Sequence, residues 1–478
     1  MKNNRTKIIC TIGPSIDSPS TLHTLAQCGM SIIRINCSHG TTETRTRQMT
    51  CIRNMEQTYA SPIGVMLDLQ GPKLRIGDLP SPFKLASDDI WKLSTHESAD
   101  EKQKILPIPS HEIAKSVEVG DALYMDDGLI YTQVIRKDKT DLWVKVINGG
   151  FLESRKGINI PYYKGTLPIL SAKDKQDLCW GIEFKVDFVA LSFVRYASDI
   201  AHLKAVIRQY KPQHEPLIIA KIEKPEAVEN MDEIIAASDG ILVARGDLGI
   251  ELPPEKVPVV QKQLIEKCRL AKKPVIIATQ MLDSMRINPR PTRAEVSDVA
   301  SSIYAGADAV MLTGETSSGK YPVQATEMLQ NIICEVERHM VQKTFRKLPE
   351  DFGIGTYQES VMFNVMQLAE DIDAKAIVVL TQRGDLTKFL SKLHPKQPIF
   401  SLALSVHVHR QMTLYWGVFP IENYPESVNG NIDDVITTLK KQHIVKKNDR
   451  LIFVSRNEQQ SENLNLKIVA CDSPSKGG

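Results

Sequence analysis

Eight short, nearly uninterrupted apolar runs punctuate this chain, and several of them stop on a polar or charged residue. They are Lys7–Gly13, Ser31–Asn36, Ile63–Leu69, Asp187–Val194, Leu217–Glu223, Gly240–Asp247, Pro274–Thr279 and Ala309–Glu315. Runs of this length without polar alternation suit strands covered on both faces, as in a parallel sheet wrapped by helices. Segments of helical period, such as Ser198–Tyr210 and Pro258–Ala271, separate most of them. Eight such units close a (β/α)8 barrel, whose chemistry gathers at the carboxyl ends of the strands. An open α/β sheet is the alternative, and in it some of the terminal charges would cap helices instead.

One connection is too long for a loop. Roughly a hundred residues separate the third run from the fourth, far beyond ordinary connections. Within them Ala122–Tyr124, Leu129–Ile135 and Leu142–Ile147 read as short strands around the turn signals Asp127-Gly128 and Asn148-Gly149. This predicts a small β-barrel lid, residues 71–167, inserted at the catalytic face of a barrel made of residues 1–70 and 168–345. A linker is expected at Lys347–Gly353, and the α/β pattern then restarts. Strands at Lys375–Leu380, Pro398–Leu402, Arg450–Ser455 and Leu466–Ala470 predict a C-terminal α/β domain, residues 346–478, with a regulatory or oligomerisation role.

Composition narrows the function classes. The chain has 478 residues, 42% hydrophobic and 24% charged, with a net charge of +2. Several domains and no extended disorder are expected. A nucleic-acid partner recruited by bulk charge is excluded by that balance. No apolar run approaches the ~18 residues of a membrane helix, and the first residues lack the features of a secretory leader. The eight cysteines are scattered without CxxC or zinc spacing, which reads as reduced thiols in a cytoplasm.

The strand ends carry Arg34, Asn36, Asp68, Lys221, Glu223, Arg245, Asp247 and Thr279. Lys221 and Glu223 share one strand face, because residues i and i+2 point alike. Glu223 and Asp247, on adjacent strand ends with no soft ligand nearby, make a hard-cation site for Mg2+ or Mn2+. Gly246 allows close backbone approach at the helix that begins near Asp247, where N–H groups attract a carboxylate. Lys221 could neutralise a developing enolate or a transferring phosphoryl group. A structural Lys221–Glu223 ion pair is the plain alternative for that pair alone, and the neighbouring Asp247 and Thr279 weigh against it. Gly314–Tyr321 nearly spells a P-loop, but Tyr321 stands where the metal-binding Ser or Thr belongs.

Taken in order, the motifs resemble one family. Thr11-Ile-Gly-Pro14, Arg34-Ile-Asn-Cys-Ser-His-Gly40, Lys221-Ile-Glu223 and Ala244-Arg-Gly-Asp-Leu-Gly249 are similar to those of pyruvate kinases. So are Ala278-Thr-Gln-Met281, Pro291–Val299 and Met311-Leu-Thr-Gly-Glu-Thr316, and Met125–Ile130 with Lys156–Asn159 carry the likeness through the insertion.

The resemblance implies transfer of phosphate from phosphoenolpyruvate to ADP, giving pyruvate and ATP, in the last step of glycolysis. It implies Mg2+ held by Glu223 and Asp247, with Lys221 beside the transferring phosphoryl group and Arg34 on the phosphate. Gly246, Asp247 and Thr279 would hold the pyruvyl carboxylate, with Thr279 near the route of proton delivery. Arg75, Lys156, Asn36, His39 and Pro14 would line the nucleotide site. A homotetramer is expected on the same ground. A related barrel lyase would need neither the lid nor the C-terminal domain, and a non-catalytic paralogue should have lost Lys221, Glu223, Asp247 or Thr279, all of which are present.

Two departures bear on cofactors and control. Family members that require K+ read Asp-Thr-Lys-Gly-Pro-Glu, where this chain reads Asp68-Leu-Gln-Gly-Pro-Lys73. Asn36, Ser38, Asp68 and the Leu69 carbonyl would form the monovalent-cation site, and Lys73 is expected to occupy or neighbour it, so that K+ is not required. A solvent-facing Lys73 is the alternative. The family's sugar-phosphate loop is replaced by Thr381-Gln-Arg-Gly-Asp-Leu386, where Asp385 would repel a phosphate and Arg383 only partly offset it. Activation by fructose 1,6-bisphosphate is therefore expected to be weak or absent.

Overall fold

The computed structural model describes residues 4–59, 61–108, 111–163, 165, 168–342, 352–403, 405–421, 432–456 and 464–471. Its eight parallel strands Lys7–Thr11, Met30–Asn36, Gly64–Asp68, Phe188–Leu191, Leu217–Ile222, Gly240–Ala244, Val275–Ala278 and Ala309–Leu312 close into a barrel. Alternate residues divide between two cores. Ile9, Ile32, Phe188, Ile219, Leu242 and Ile276 fill the interior, whereas Ile8, Cys10, Ile33, Val189, Ile241 and Ile277 pack outward against the helices. Both sets are buried, which is why the runs show no polar alternation. Several expected runs overshoot the strands, because their last residues already belong to the loops and helix turns at the carboxyl face.

The insertion leaves after the third strand and returns before the fourth. It is strand-rich, with a seven-stranded sheet and a two-stranded one. Ala122–Met125, Ile130–Lys137 and Leu142–Asn148 lie near the expected positions. One side chain ties its base together. Asp174 caps the returning helix Ala172–Glu183 in a capping box with Ser171, and its Oδ1 accepts from the backbone N of Gly71 at 3.1 Å. Gly71 has φ +70°, and a Cβ there would lie 2.9 Å from the Phe193 ring. The close approach excludes a side chain unless Phe193 shifts, and the positive φ favours glycine at the exit as well.

The C-terminal sheet runs Val418–Pro420, Ile399–Ala403, Ala376–Thr381, Arg450–Arg456, Leu464–Ala470 in spatial order, with the last strand antiparallel. Val418–Pro420 was not foreseen, since three residues show no period. Of the expected linker Lys347–Gly353, residues 347–351 lie outside the described residues, as do the expected boundaries at Leu167 and at residues 345 and 346. Phe352 is buried against the C-terminal core. The near P-loop serves packing instead: Gly314–Ser317 is a short helix whose Glu315 accepts from the backbone N of Leu282 and of Thr313. Among the described residues no helix is long and apolar enough to cross a membrane.

Candidate active site

Four charged side chains meet at the carboxyl ends of three strands. Asp68 Oδ2 accepts from Arg34 Nε at 2.7 Å, and its Oδ1 lies 3.2 Å from Lys221 Nζ. Lys221 also reaches Glu223 Oε1 at 2.9 Å and donates to Ser192 Oγ at 2.7 Å. Arg34 and Lys221 are each 9% exposed, Asp68 and Glu223 each 1%. Burial alone would push the Asp68 carboxyl up, but Lys221 and Arg34 overcome it and hold Asp68 below the usual carboxylate range. For Lys221 burial pulls downward, and Asp68 and Glu223 win, so the ammonium keeps its proton. Glu223 is raised, mainly by burial and further by Asp247, with Lys221 opposing. Its second oxygen accepts from the Phe193 N–H at 2.8 Å, and Phe193 adopts φ 56° to present that group. Backbone strain of this kind is concentrated at functional sites.

The next strand turns directly into the helix Arg245–Glu251, which presents Gly246 and Asp247. Gly246 N donates to Thr279 Oγ1 at 2.7 Å, leaving the threonine hydroxyl's own proton free to donate elsewhere. Thr279 and Gln280 have φ of 70° and 54°. Arg245 braces them, donating to the Thr279 carbonyl at 2.8 Å while it pairs with Asp298 at 2.6 Å. Among the described residues no group of three His, Cys, Asp or Glu side chains could hold a metal. Glu223 and Asp247 form a two-carboxylate oxygen set instead. It fits Mg2+ or Mn2+, which take few protein carboxylates and fill the shell with substrate oxygens and water.

The expected nucleotide residues divide. His39 is held below its usual pKa by burial and by Arg75, Arg34 and Lys173, so these cations share one neighbourhood. Arg75 donates to the Arg155 carbonyl at 2.9 Å, and Lys156 pairs with Asp126 at 2.8 Å, both within the inserted domain. Pro14 is exposed. Asn36 turns its Oδ1 onto the Ser38 N–H at 3.1 Å, and the Leu69 carbonyl accepts from Ser192 Oγ at 2.8 Å. Lys73 does not join that set as expected. Its ammonium lies 3.3 Å from Asp127 and 3.7 Å from Asp247, with its stem crossing Gly157, where a Cβ would stand 2.5 Å from Lys73 Cε. The left-handed turn at Gly71 sends the following residues toward the lid.

Sequence reasoning did not single out Ser192, Asn159, Lys224 or Glu251. Ser192 is a lone hydroxyl near the end of an apolar run, and that was the available signal. Asp385 of the C-terminal loop lies 3.6 Å from Arg456, and Leu386 is buried.

Comparison with known proteins places the whole chain among one family. A family model described as pyruvate kinase, barrel domain, matches residues 3–326, and one described as pyruvate kinase, alpha/beta domain, matches residues 359–470. A pyruvate kinase of Geobacillus stearothermophilus is 38% identical over 481 residues, covering 99% of this chain and 81% of the relative. One of Agrobacterium vitis is 37% identical over 471 residues, covering 98% and 97%. The crystal structure of a pyruvate kinase from Cryptosporidium parvum superposes with a TM-score of 0.88 at 33% identity, covering 98% of this chain and 96% of that one.

The Asp68 pairs lead to a stability prediction. Asp68→Asn leaves two buried cations facing a neutral amide, and should cost about 3–5 kcal/mol at neutral pH. Because the folded pKa of Asp68 is depressed, its contribution is fully present above the unfolded value near 4 and is lost as pH falls through the folded value. Denaturant unfolding of native and variant should therefore differ at pH 7 and begin to converge only as pH falls below about 4. Equal stability at pH 7 would refute the pairing.

Proposed function

The chain belongs to the pyruvate kinase family, and from that premise we propose the roles of its strand-end residues in moving a phosphoryl group from phosphoenolpyruvate to ADP. The reaction, which ends glycolysis, gives pyruvate and ATP. The carrying observation is that Arg34 and Lys221 converge on the buried Asp68 while Glu223 and Asp247 flank them.

Arg34 holds the phosphate of phosphoenolpyruvate. Lys221 faces the bridging oxygen, where negative charge grows as the P–O bond breaks and a nucleotide oxygen takes the phosphorus. Thr279, whose oxygen is already engaged by Gly246 N, offers its proton to the substrate and lies on the route by which the enolate carbon is protonated. Gly246 and Asp247 approach the pyruvyl carboxylate from the helix start. Arg75 and Lys156 meet nucleotide phosphates from the lid, with Asn36, His39 and Pro14 lining the site. The lid excludes water that would otherwise accept the phosphoryl group. Glu223 and Asp247 would hold Mg2+ or Mn2+, which when bound balances charge on the substrate oxygens.

Pyruvate formation from phosphoenolpyruvate and ADP, followed in a coupled assay with Mg2+, tests this reading directly. Glu223→Gln and Asp247→Asn should each lose at least ~100-fold in turnover while remaining folded. Near-normal turnover of either variant at saturating Mg2+ would refute the metal assignment.

K+ independence is the second proposal. The Lys73 ammonium stands off the Asn36, Ser38, Asp68 and Leu69 set, but at 3.7 Å from Asp247 it adds a fixed positive charge to the same strand-end face, which supports turnover without K+. With tetramethylammonium replacing all K+ at matched ionic strength, native turnover should persist and Lys73→Glu should become K+-dependent. A native enzyme nearly silent until K+ is added ends the idea.

In the C-terminal domain, Asp385 stands at the start of its helix and Leu386 is buried, which supports weak or absent activation by fructose 1,6-bisphosphate. Many-fold activation in a micromolar titration would contradict it. A cytoplasmic homotetramer is the assembly we infer from the family.

A further inference from the structure

The inserted domain grips the barrel at a second place, through one carboxylate. Glu251 closes the short helix that Arg245, Gly246 and Asp247 open, four residues beyond Asp247 and so on the same face. Its side chain is fully buried. Glu251 Oε1 accepts from Asn159 Nδ2 at 3.0 Å and from Lys224 Nζ at 2.6 Å. Asn159 ends the inserted strand Gly157–Asn159, next to Lys156, and Lys224 directly follows Glu223. The lid, the strand end bearing Lys221 and Glu223, and the helix bearing Asp247 thus share one acceptor. Beside it the lid turn touches the same helix, since a Cβ on Gly128 would stand 3.3 Å from Ile250 Cγ1.

A Glu251–Lys224 pair alone would be an ordinary ion pair within the barrel. The amide of Asn159, itself 3% exposed, makes it a link between domains. A hydrogen bond to a charged acceptor holds the inserted domain against the barrel, yet a single one can break at each turnover to exchange nucleotide. We propose that Glu251 is the positioning residue that latches the inserted domain over the barrel face during phosphoryl transfer. This rests on the kinase reading above.

The test uses the full-length enzyme with two readouts. Phosphoryl transfer would bring ADP between the lid and the barrel, whereas exchange of pyruvate methyl protons with D2O, measured with Mg2+ and inorganic phosphate, would use the strand-end groups of the proposed site and involve no nucleotide. Asn159→Ala and Glu251→Ala should each lower kcat/KM for ADP about tenfold or more, and the double variant should lose little beyond either single one. Proton exchange should stay within about twofold of native in Asn159→Ala, and Glu251→Gln, which keeps an acceptor for Asn159, should recover much of the loss. Phosphoryl transfer by Asn159→Ala within about twofold of native overturns the latch. So does exchange that falls in step with transfer, because that marks a merely structural role. The Asn159 variant decides the matter on its own if Glu251→Ala does not fold. A native protein that makes no pyruvate from phosphoenolpyruvate and ADP overturns the kinase reading itself, a result distinct from any pattern among the variants.

Discussion

Asp68 is almost wholly buried, and a carboxylate there stays ionised only beside cations that cannot leave. Arg34 arrives from the second strand and Lys221 from the fifth, each within hydrogen-bond reach of a different oxygen. The consequences spread outward. Lys221, protonated because of Asp68 and Glu223, is fixed by the Ser192 hydroxyl, and Ser192 in turn binds the Leu69 carbonyl at the root of the insertion. Charge balance at one strand end therefore orders Arg34 and Lys221 and the point where the inserted domain departs.

Two demands meet on that face. Arg34 and Lys221 both pair with the buried Asp68, and in the proposed reaction both would face a phosphorylated substrate. Glu223 also pairs with Lys221, and Asp247 lies 3.7 Å from Lys73. Burial and the nearby Asp247 raise the Glu223 pKa against the opposing pull of Lys221, and a divalent cation at the proposed site would relieve that repulsion. The fold thus gathers two cations and two carboxylates on one face, linked through the Lys221–Glu223 pair at 2.9 Å.

Much of this was legible in the sequence, for physical reasons. Barrel strands covered on both faces must be apolar throughout, so Arg34, Asp68, Lys221 and Glu223 stood out as polar residues in or at the ends of such runs. What escaped depends on distance or direction. Asn159 and Glu251 lie 92 positions apart, and no periodicity links them. Lys73 follows Asp68 by five residues, which suggested a shared site, but the positive φ at Gly71 redirects the chain toward Asp127. Val418–Pro420 is a strand through its neighbours rather than its own pattern.

The Asp174 capping box that accepts the Gly71 N–H has a meaning for how the molecule assembles itself. Closing the barrel requires Met66 to pair with Phe188 across a very long stretch of chain. Bringing such distant segments together carries a loop-closure entropy and slows folding. An insertion with its own core, its two ends returned to one carboxylate, spans that distance like a short turn once it has formed. Kinetically, then, the lid need not burden the barrel: the third and fourth strands can find each other as sequence neighbours do.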